Sequence, residues 1–377
     1  MKKVCAVVAM LSLLSLGVAA QATITIDTVA VGDKGNVADR RFANAPGYGS
    51  VNYNYNIGKY EVTAGQYTAF LNAVAATDNY GLYSVFMATP GHGCGITRTG
   101  ASGSYSYSVL SDWANNPVNC VSYWDSCRFA NWLSNGQGTG TETGTYTLNG
   151  YNGSLGTSIE RNSGAKWAVA SHDEWYKAAY YKGGSTNAGY WLYTTKSDTA
   201  PGRDMADASG NNANYFSGSG AWPIDPTRYI TRVGEFQNST SYYGTFDQGG
   251  NMEEWNESVI EVHVSEQDQH HMCRGARGGS YGQYVNDTAA WAGGWHDPNT
   301  EGSQDGCRVV QVSPVPEPSS IIALAGGLLG LITLKRRKAE PFIPFTFSVR
   351  RSKSHGGLYF CSCKDVWYTI SYCNIDL

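Results

Sequence analysis

The chain has 377 residues, a formal net charge of −4 and only 15% charged residues, but 45 glycines, 26 tyrosines and 11 tryptophans. Such a balance, with no basic stripe outside the termini, gives no electrostatic footprint for nucleic acid. It describes a loop-rich domain packed by aromatic rings, long enough for one large domain or two small ones. The N-terminus reads as a processing segment: Lys2 and Lys3 precede an apolar run over residues 4–18, and Ala20-Gln21-Ala22 forms a small-residue cleavage site. A signal peptide over residues 1–22 is therefore expected, with a mature start near Thr23. A membrane anchor is disfavoured because the apolar run is short.

Three helices are predicted next, each opened by a capping box in which a hydroxyl and a side chain three residues on satisfy the first free N–H groups. The first lies within residues 57–74, where Thr63 precedes Gln66 by three and Tyr67, Phe70, Leu71 and Val74 recur at the spacing of one helical face. The second lies within residues 116–136, with Ser122 and Asp125 followed by Phe129, Trp132 and Leu133. The third lies within residues 167–181, with Ser171 and Glu174 followed by Trp175, Ala178 and Ala179. Strand-like runs are expected before each helix, at residues 57–62, 118–122 and 166–170. Residues 93–108 and 135–164 read as long loops rich in glycine, serine and threonine, a length that usually signals function or stapling. Residues 191–237 also read as loop, with Asn214-Tyr215 as a landmark. His263, His270 and His271 fall in a polar segment whose default reading is a solvated loop, a metal site being the alternative. His172 lies in the first turn of the third helix, where packing or capping is its default role.

Five cysteines lie between residues 23 and 312: Cys94, Cys120, Cys127, Cys273 and Cys307. An oxidising compartment permits disulfides, and an odd number leaves at least one thiol free. Buried free thiols are the alternative. Beyond residue 312, Val315-Pro316-Glu317-Pro318-Ser319 leads into an apolar stretch over residues 321–334 and then Lys335-Arg336-Arg337-Lys338. A proline linker, a short membrane-seeking segment and a block of cations make a membrane stop with its positive side in the cytoplasm. This order resembles a PEP-CTERM sorting signal over residues 313–338. The resemblance implies a Gram-negative exported protein, held transiently in the inner membrane through residues 321–334 and then cut by an exosortase for release to the cell envelope or beyond. Residues 339–377 continue past the point where such signals end, and read either as read-through or as an appendage discarded on sorting. Cys361 and Cys363 in that tail lack zinc-knuckle spacing and a second pair.

Two motifs stand close together in the last third: GTFDQGGNMEEWNE at residues 244–257 and CRGARGGSY at residues 273–281. With I-G-K-Y-E-V-T at 57–63, P-V-x-x-V-S-Y-W-D at 117–125, W-A-V-A-S-H-D-E-W at 167–175 and G-C-R-V at 306–309, they resemble the formylglycine-generating, or sulfatase-modifying factor, family in order. The third motif departs from that family's R-L-P-T-E-A-E-W. The resemblance covers most of residues 50–312 and implies a single domain over 23–312 with an α+β, C-type-lectin-like fold, little regular structure and bound calcium. It implies a calcium site at the Asp247 side chain, the Gly250 and Met252 carbonyls and Glu254, where carboxylates and turn carbonyls suit a hard cation. It implies a second at Asn214 and the Tyr215 carbonyl, with Asp225 a third candidate ligand. A Cys273–Cys307 bridge is expected because both flank motifs that meet in the family's core.

Catalysis in this family needs two cysteines that hold copper and activate oxygen. Their positions here are Gln283 and Thr288. Neither side chain binds Cu(I), a soft ion that seeks sulfur, so copper is not expected. Trp291 and Trp295 fall in the region that forms the family's active-site surface, and either pack the core or make a ligand platform. The expected function is an exported, calcium-stabilised binding or scaffold module for an extracellular polysaccharide or a protein ligand. The alternative is a divergent oxygen-dependent, protein-modifying enzyme of the same family.

Overall fold

The computed structural model of the protein describes residues 23–42, 47–155, 159–218, 224–264, 269–312, 361–363 and 366–368. The signal peptide expected over residues 1–22, the sorting signal with its apolar stretch and nearly all of the tail lie outside the described residues, as do the side chains of His263 and His270. In chain order the elements are β1 (Thr28–Val31), β2 (Tyr55–Gly58), α1 (Ala64–Val74), β3 (Ile96–Thr99), β4 (Ser106–Val109), α2 (Tyr123–Ser134), β5 (Trp167–Val169), α3 (His172–Tyr180), β6 (Glu253–Val264), β7 (Gln269–Arg277), β8 (Gly294–His296), β9 (Asp305–Gly306) and β10 (Val309–Gln311). Residues 316–377 form a separate unit. Its described part is a two-stranded antiparallel pair, β11 (Cys361–Cys363) with β12 (Val366–Tyr368). No helix among the described residues is long and apolar enough to cross a membrane.

The architecture is loop-rich α+β. One antiparallel sheet runs in the order β1-β2-β10-β5, so the last strand of the domain returns to lie between β2 and β5. The other runs β8-β7-β6-β9, with β6 and β7 a long antiparallel hairpin and β9 parallel to β6. All three capping boxes form as the sequence predicts, at Thr63/Gln66, Ser122/Asp125 and Ser171/Glu174. The buried faces of the helices feed two aromatic clusters. Tyr67 and Phe70 of α1 meet Phe129 and Trp132 of α2 in one. Trp124, Trp175, Tyr176, Tyr180 and Trp255 fill the other. Edge-on ring packing lets large apolar surface be buried where regular backbone is scarce.

Four expectations need correction. Residues 118–122 form no strand: Cys120 has φ +55°, and its N–H donates to the Gly302 carbonyl instead of a ladder. Residues 93–108, read as loop, carry the β3–β4 hairpin, and its cross-strand register is regular from Ile96↔Val109 to Thr99↔Ser106. The polar segment with His263, His270 and His271 is the far end of the β6–β7 hairpin. Cys273 and Cys307 do not pair: all five cysteines from Cys94 to Cys307 are buried free thiols. Cys307 packs in the α1–α2 cluster, whereas Cys273 sits on β7 opposite Ile260.

Candidate functional site

Residues 247–251 make a tight turn with left-handed backbone at Asp247 (φ +61°), Gly250 (φ +91°) and Asn251 (φ +65°). A Cβ on Gly250 would lie 2.4 Å from the Asn214 carbonyl oxygen, so glycine is required both by the backbone and by the close approach. The Asn251 N–H donates to that same carbonyl at 2.7 Å, which joins the two expected calcium segments into one buried corner. Asp247 Oδ2 accepts from the Gly234 N–H at 2.6 Å, and burial pushes its carboxyl up to about 6. Glu254 does not offer a free oxygen. Its Oε2 accepts from Trp175 Nε1 at 2.7 Å, and Arg308 Nε and Nη2 bracket the carboxylate at 2.9 and 2.7 Å. Arg308 is fully buried and also donates to the carbonyls of Gly58 and Phe246. A guanidinium therefore stands where a calcium ion was expected against Glu254. Met252 lends its N–H to Glu61 Oε1 at 3.1 Å, and its side chain packs with Ile230 and Tyr281.

Glu61, Asp247 and Glu254 all act on the single Arg308 cation. Burial, then repulsion from Asp247 and Glu254, holds the Glu61 carboxyl well above the usual range. Nearby, Asn214 Nδ2 donates to the Tyr229 carbonyl at 3.0 Å and to Asn251 Oδ1 at 3.2 Å, which fixes the amide orientation. That leaves Asn214 Oδ1 buried without a hydrogen-bond partner, an atom suited to a hard cation. The Tyr215 phenol donates to the Pro201 carbonyl. Asp225 does not complete this set: its Oδ1 caps a turn by accepting from the Thr227 and Arg228 N–H groups at 2.8 and 3.0 Å.

Beyond the second motif the chain makes a short 3-10 turn, Val285–Thr288. Gln283 Nε2 donates to Glu253 Oε2 at 3.2 Å, while its Oε1 is buried without a partner. Thr288 Oγ1 donates to the Val285 carbonyl at 2.7 Å. Elsewhere on the domain is a cleft of about 420 Å³ lined by Tyr48, His172, Asp173, Asn256, Arg277 and Trp291 among others. The Arg277 guanidinium lies 5.1 Å from the Tyr48 ring and 5.0 Å from the Tyr176 ring, within cation–π range. Its Nε donates to His172 Nε2 at 2.6 Å. Burial lowers the His172 pKa, which keeps that nitrogen neutral and able to accept. Trp291 and Trp295 are 45% and 47% exposed, so neither packs the core. Trp291 stands edge-on to Phe42 and Tyr193 at the cleft wall, and Trp295 lies on β8.

Residues 19–313 match the sulfatase-modifying factor enzyme 1-like domain. The chain belongs to that family. Residues 314–338 match the PEP-CTERM protein-sorting motif, which marks an exported protein processed by an exosortase. No curated protein matches the chain. Among solved structures it is similar to the crystal structure of CarF, at 22% identity over 77% of this chain and 100% of that one, TM-score 0.49. It is also similar to Treponema denticola variable protein 1, at 17% identity over 77% and 96% of the two chains, TM-score 0.48. PvdO from Pseudomonas aeruginosa matches at 19% identity over 76% and 92%, TM-score 0.42.

Gln283 and Thr288, the positions that the resemblance assigns to the family's copper-binding cysteines, do not fit copper: an amide tied to a carboxylate and a hydroxyl tied to its own turn supply no sulfur. Three residues that sequence reading passed over gather beside Gln283, namely Glu253, His296 and Asp305. Their signal was faint, because Glu253 is hidden inside a family motif and the other two stand nine residues apart in a loop-like segment. His271, half-buried and the member of the histidine segment whose side chain is described, pairs with Asp297 near Cys273.

Proposed function

We propose that the protein is an exported, envelope-sorted binding or scaffold module on the sulfatase-modifying frame, without formylglycine-generating chemistry. In this reading residues 23–312 are the working domain, residues 313–338 deliver it, and the apolar stretch 321–334 anchors it until an exosortase acts. The observation that carries the reading is the pair Gln283 and Thr288, each hydrogen-bonded within the protein and neither a thiol. The ligand proposed is an extracellular polysaccharide or a protein loop, at the cleft walled by Trp291. An exposed indole beside Asn256, Asp173 and His172 supplies the flat apolar face and the few convergent polar groups that such sites use. Trp295, on β8, is a second exposed indole for such a ligand.

Calcium support belongs to this reading at Asn214, the Tyr215 carbonyl and Asp247 with the Gly250 and Met252 carbonyls. Buried carboxylates around one guanidinium and the unpartnered Asn214 Oδ1 favour a cation there. EDTA should lower the melting temperature by several degrees, and Asp247→Ala should shrink that loss; an identical melting curve with and without EDTA removes the site.

The decisive test incubates the full chain with Cu(I), oxygen and a peptide carrying C-x-P-x-R, followed by mass spectrometry. An unmodified cysteine is expected. Conversion of that cysteine to formylglycine overturns the reading and favours the second one, a divergent oxygen-dependent protein-modifying enzyme. That alternative draws its support from the Glu253, His296 and Asp305 cluster beside Gln283.

A further inference from the structure

Glu253 opens β6, Asp305 opens β9, and the two are register partners in a parallel pair. His296 closes β8 at the other side of the sheet. His296 Nε2 lies 3.3 Å from Glu253 Oε2 and 3.7 Å from Asp305 Oδ1. One ligand atom from each of the three residues lies within 4.8 Å of the others. Ligand atoms about 2.1 Å from a tetrahedral centre stand about 3.4 Å apart, and the two His296–carboxylate separations bracket that spacing. The two carboxylate side chains are 6% and 7% exposed and the imidazole is 32% exposed, which leaves an access route on the histidine side.

The surroundings keep space for this cluster. A Cβ on Gly294 would lie 2.1 Å from Glu253 Oε1, and one on Gly302 would lie 2.3 Å from Asp305 Oδ2. Both carboxylates occupy room that only glycine leaves. Gln283 supplies the next layer: its amide meets Glu253 Oε2 at 3.2 Å and carries an oxygen that is buried and unpartnered. Turned over, the amide would present that oxygen to the cluster, since amide orientation follows the hydrogen-bond network. The edge of Trp255 packs at 5.7 Å from the His296 ring and restrains it.

We propose that Glu253, His296 and Asp305 form a binding site for a divalent first-row metal ion, such as Mn²⁺, Fe²⁺ or Zn²⁺. One imidazole with two carboxylates suits these ions, whereas Ca²⁺ takes oxygen ligands only and Cu(I) seeks sulfur. Three protein ligands leave at least one position open to water or substrate. All three side chains stand on sheet strands, so the site is pre-formed. The proposal stands whether the domain binds a ligand or performs a reaction.

The test uses the full-length protein, stripped with a chelator and dialysed. Co²⁺ is added and followed by visible ligand-field absorption, and Mn²⁺ is followed by loss of the free-ion EPR signal. One equivalent is expected to bind. His296→Ala and Asp305→Asn should each weaken binding at least ten-fold, with the circular dichroism spectrum unchanged. Gln283→Leu should weaken it roughly ten-fold, as loss of an outer-shell partner does. His296→Gln, close in length and uncharged, takes the place of His296→Ala if that variant does not fold. Cys273→Ser and Asp247→Asn should leave binding unchanged. No binding by the wild type, or equal binding by the His296 variants, overturns the proposal; in that case the three residues are an internal ion pair. Loss of binding in Cys273→Ser would place the metal instead at the His271, Cys273 and Asp297 group.

Discussion

Arg308 shows how one side chain can decide the reading of a whole motif. The sequence presents Asp247 and Glu254 as oxygen ligands around a glycine turn, and nothing local to that turn announces a cation from residue 308. Because β10 comes back to pair with β2, the preceding Arg308 arrives beneath the turn and spends its donors on Glu254, Gly58 and Phe246. Both partners of the ion pair have fully buried side chains, so desolvation offsets much of their attraction, and the pair's net contribution is small. Breaking it is another matter. Arg308→Met should cost about 3–5 kcal/mol, because it strands a buried carboxylate among two others. Urea denaturation checks this, and Arg308→Met combined with Glu254→Gln should recover much of the loss. A single variant as stable as the wild type would mean that Glu254 is protonated or already compensated by another cation.

Helices were legible because their signals are local: a hydroxyl, an acceptor three residues on and a stripe of apolar residues fit within one short segment. The β3–β4 hairpin was half legible, since S-Y-S-Y-S-V over residues 104–109 alternates with period two, but flanking glycines favoured a loop. Two strands were legible in part, the runs at 57–62 and 166–170 meeting β2 and β5, but the pairing of the sheets was not, since β1, β2, β5 and β10 are three or four residues each and pair across the full domain. The cap of α2 makes a prediction of its own. Asp125 accepts from Ser122 N at 2.9 Å and Ser122 Oγ at 2.7 Å, yet burial pushes its pKa from 3.8 up to about 7. The fold thus prefers its neutral form. The stabilisation is fully present below about pH 4 and is lost as pH rises through about 7. A displacement of that size corresponds to about 4 kcal/mol. Chemical denaturation between pH 4 and 8 should therefore show a downward slope that Asp125→Asn flattens. Equal slopes for the two proteins would assign the pH dependence to other buried carboxylates.

At the scale of the molecule, the question is what holds a domain with so little regular backbone. Sequence reading offered staples or calcium; among the described residues the staples are absent, and aromatic rings and buried polar pairs do much of the holding. The candidate site follows the same rule. Its family positions were legible as motifs, whereas the Glu253, His296 and Asp305 cluster needed the β6–β9 pairing to bring distant residues together. The cysteines test this view of stability. Cys94, Cys120, Cys127, Cys273 and Cys307 are all buried and unbridged. Burial pushes the thiols of Cys94 and Cys307 up to about 11 and about 12, and raises those of Cys120 and Cys127 further. A thiol that is both inaccessible and unionised is a poor nucleophile. Reductant should therefore leave the melting temperature unchanged, because no bridge constrains the unfolded chain. Alkylation of the native protein, mapped by mass spectrometry, should spare all five, and alkylation after denaturation without reductant should reach every one. A bridge between any two would show the opposite on both counts: a reductant-dependent fall in melting temperature, and two sites that react only once reduced.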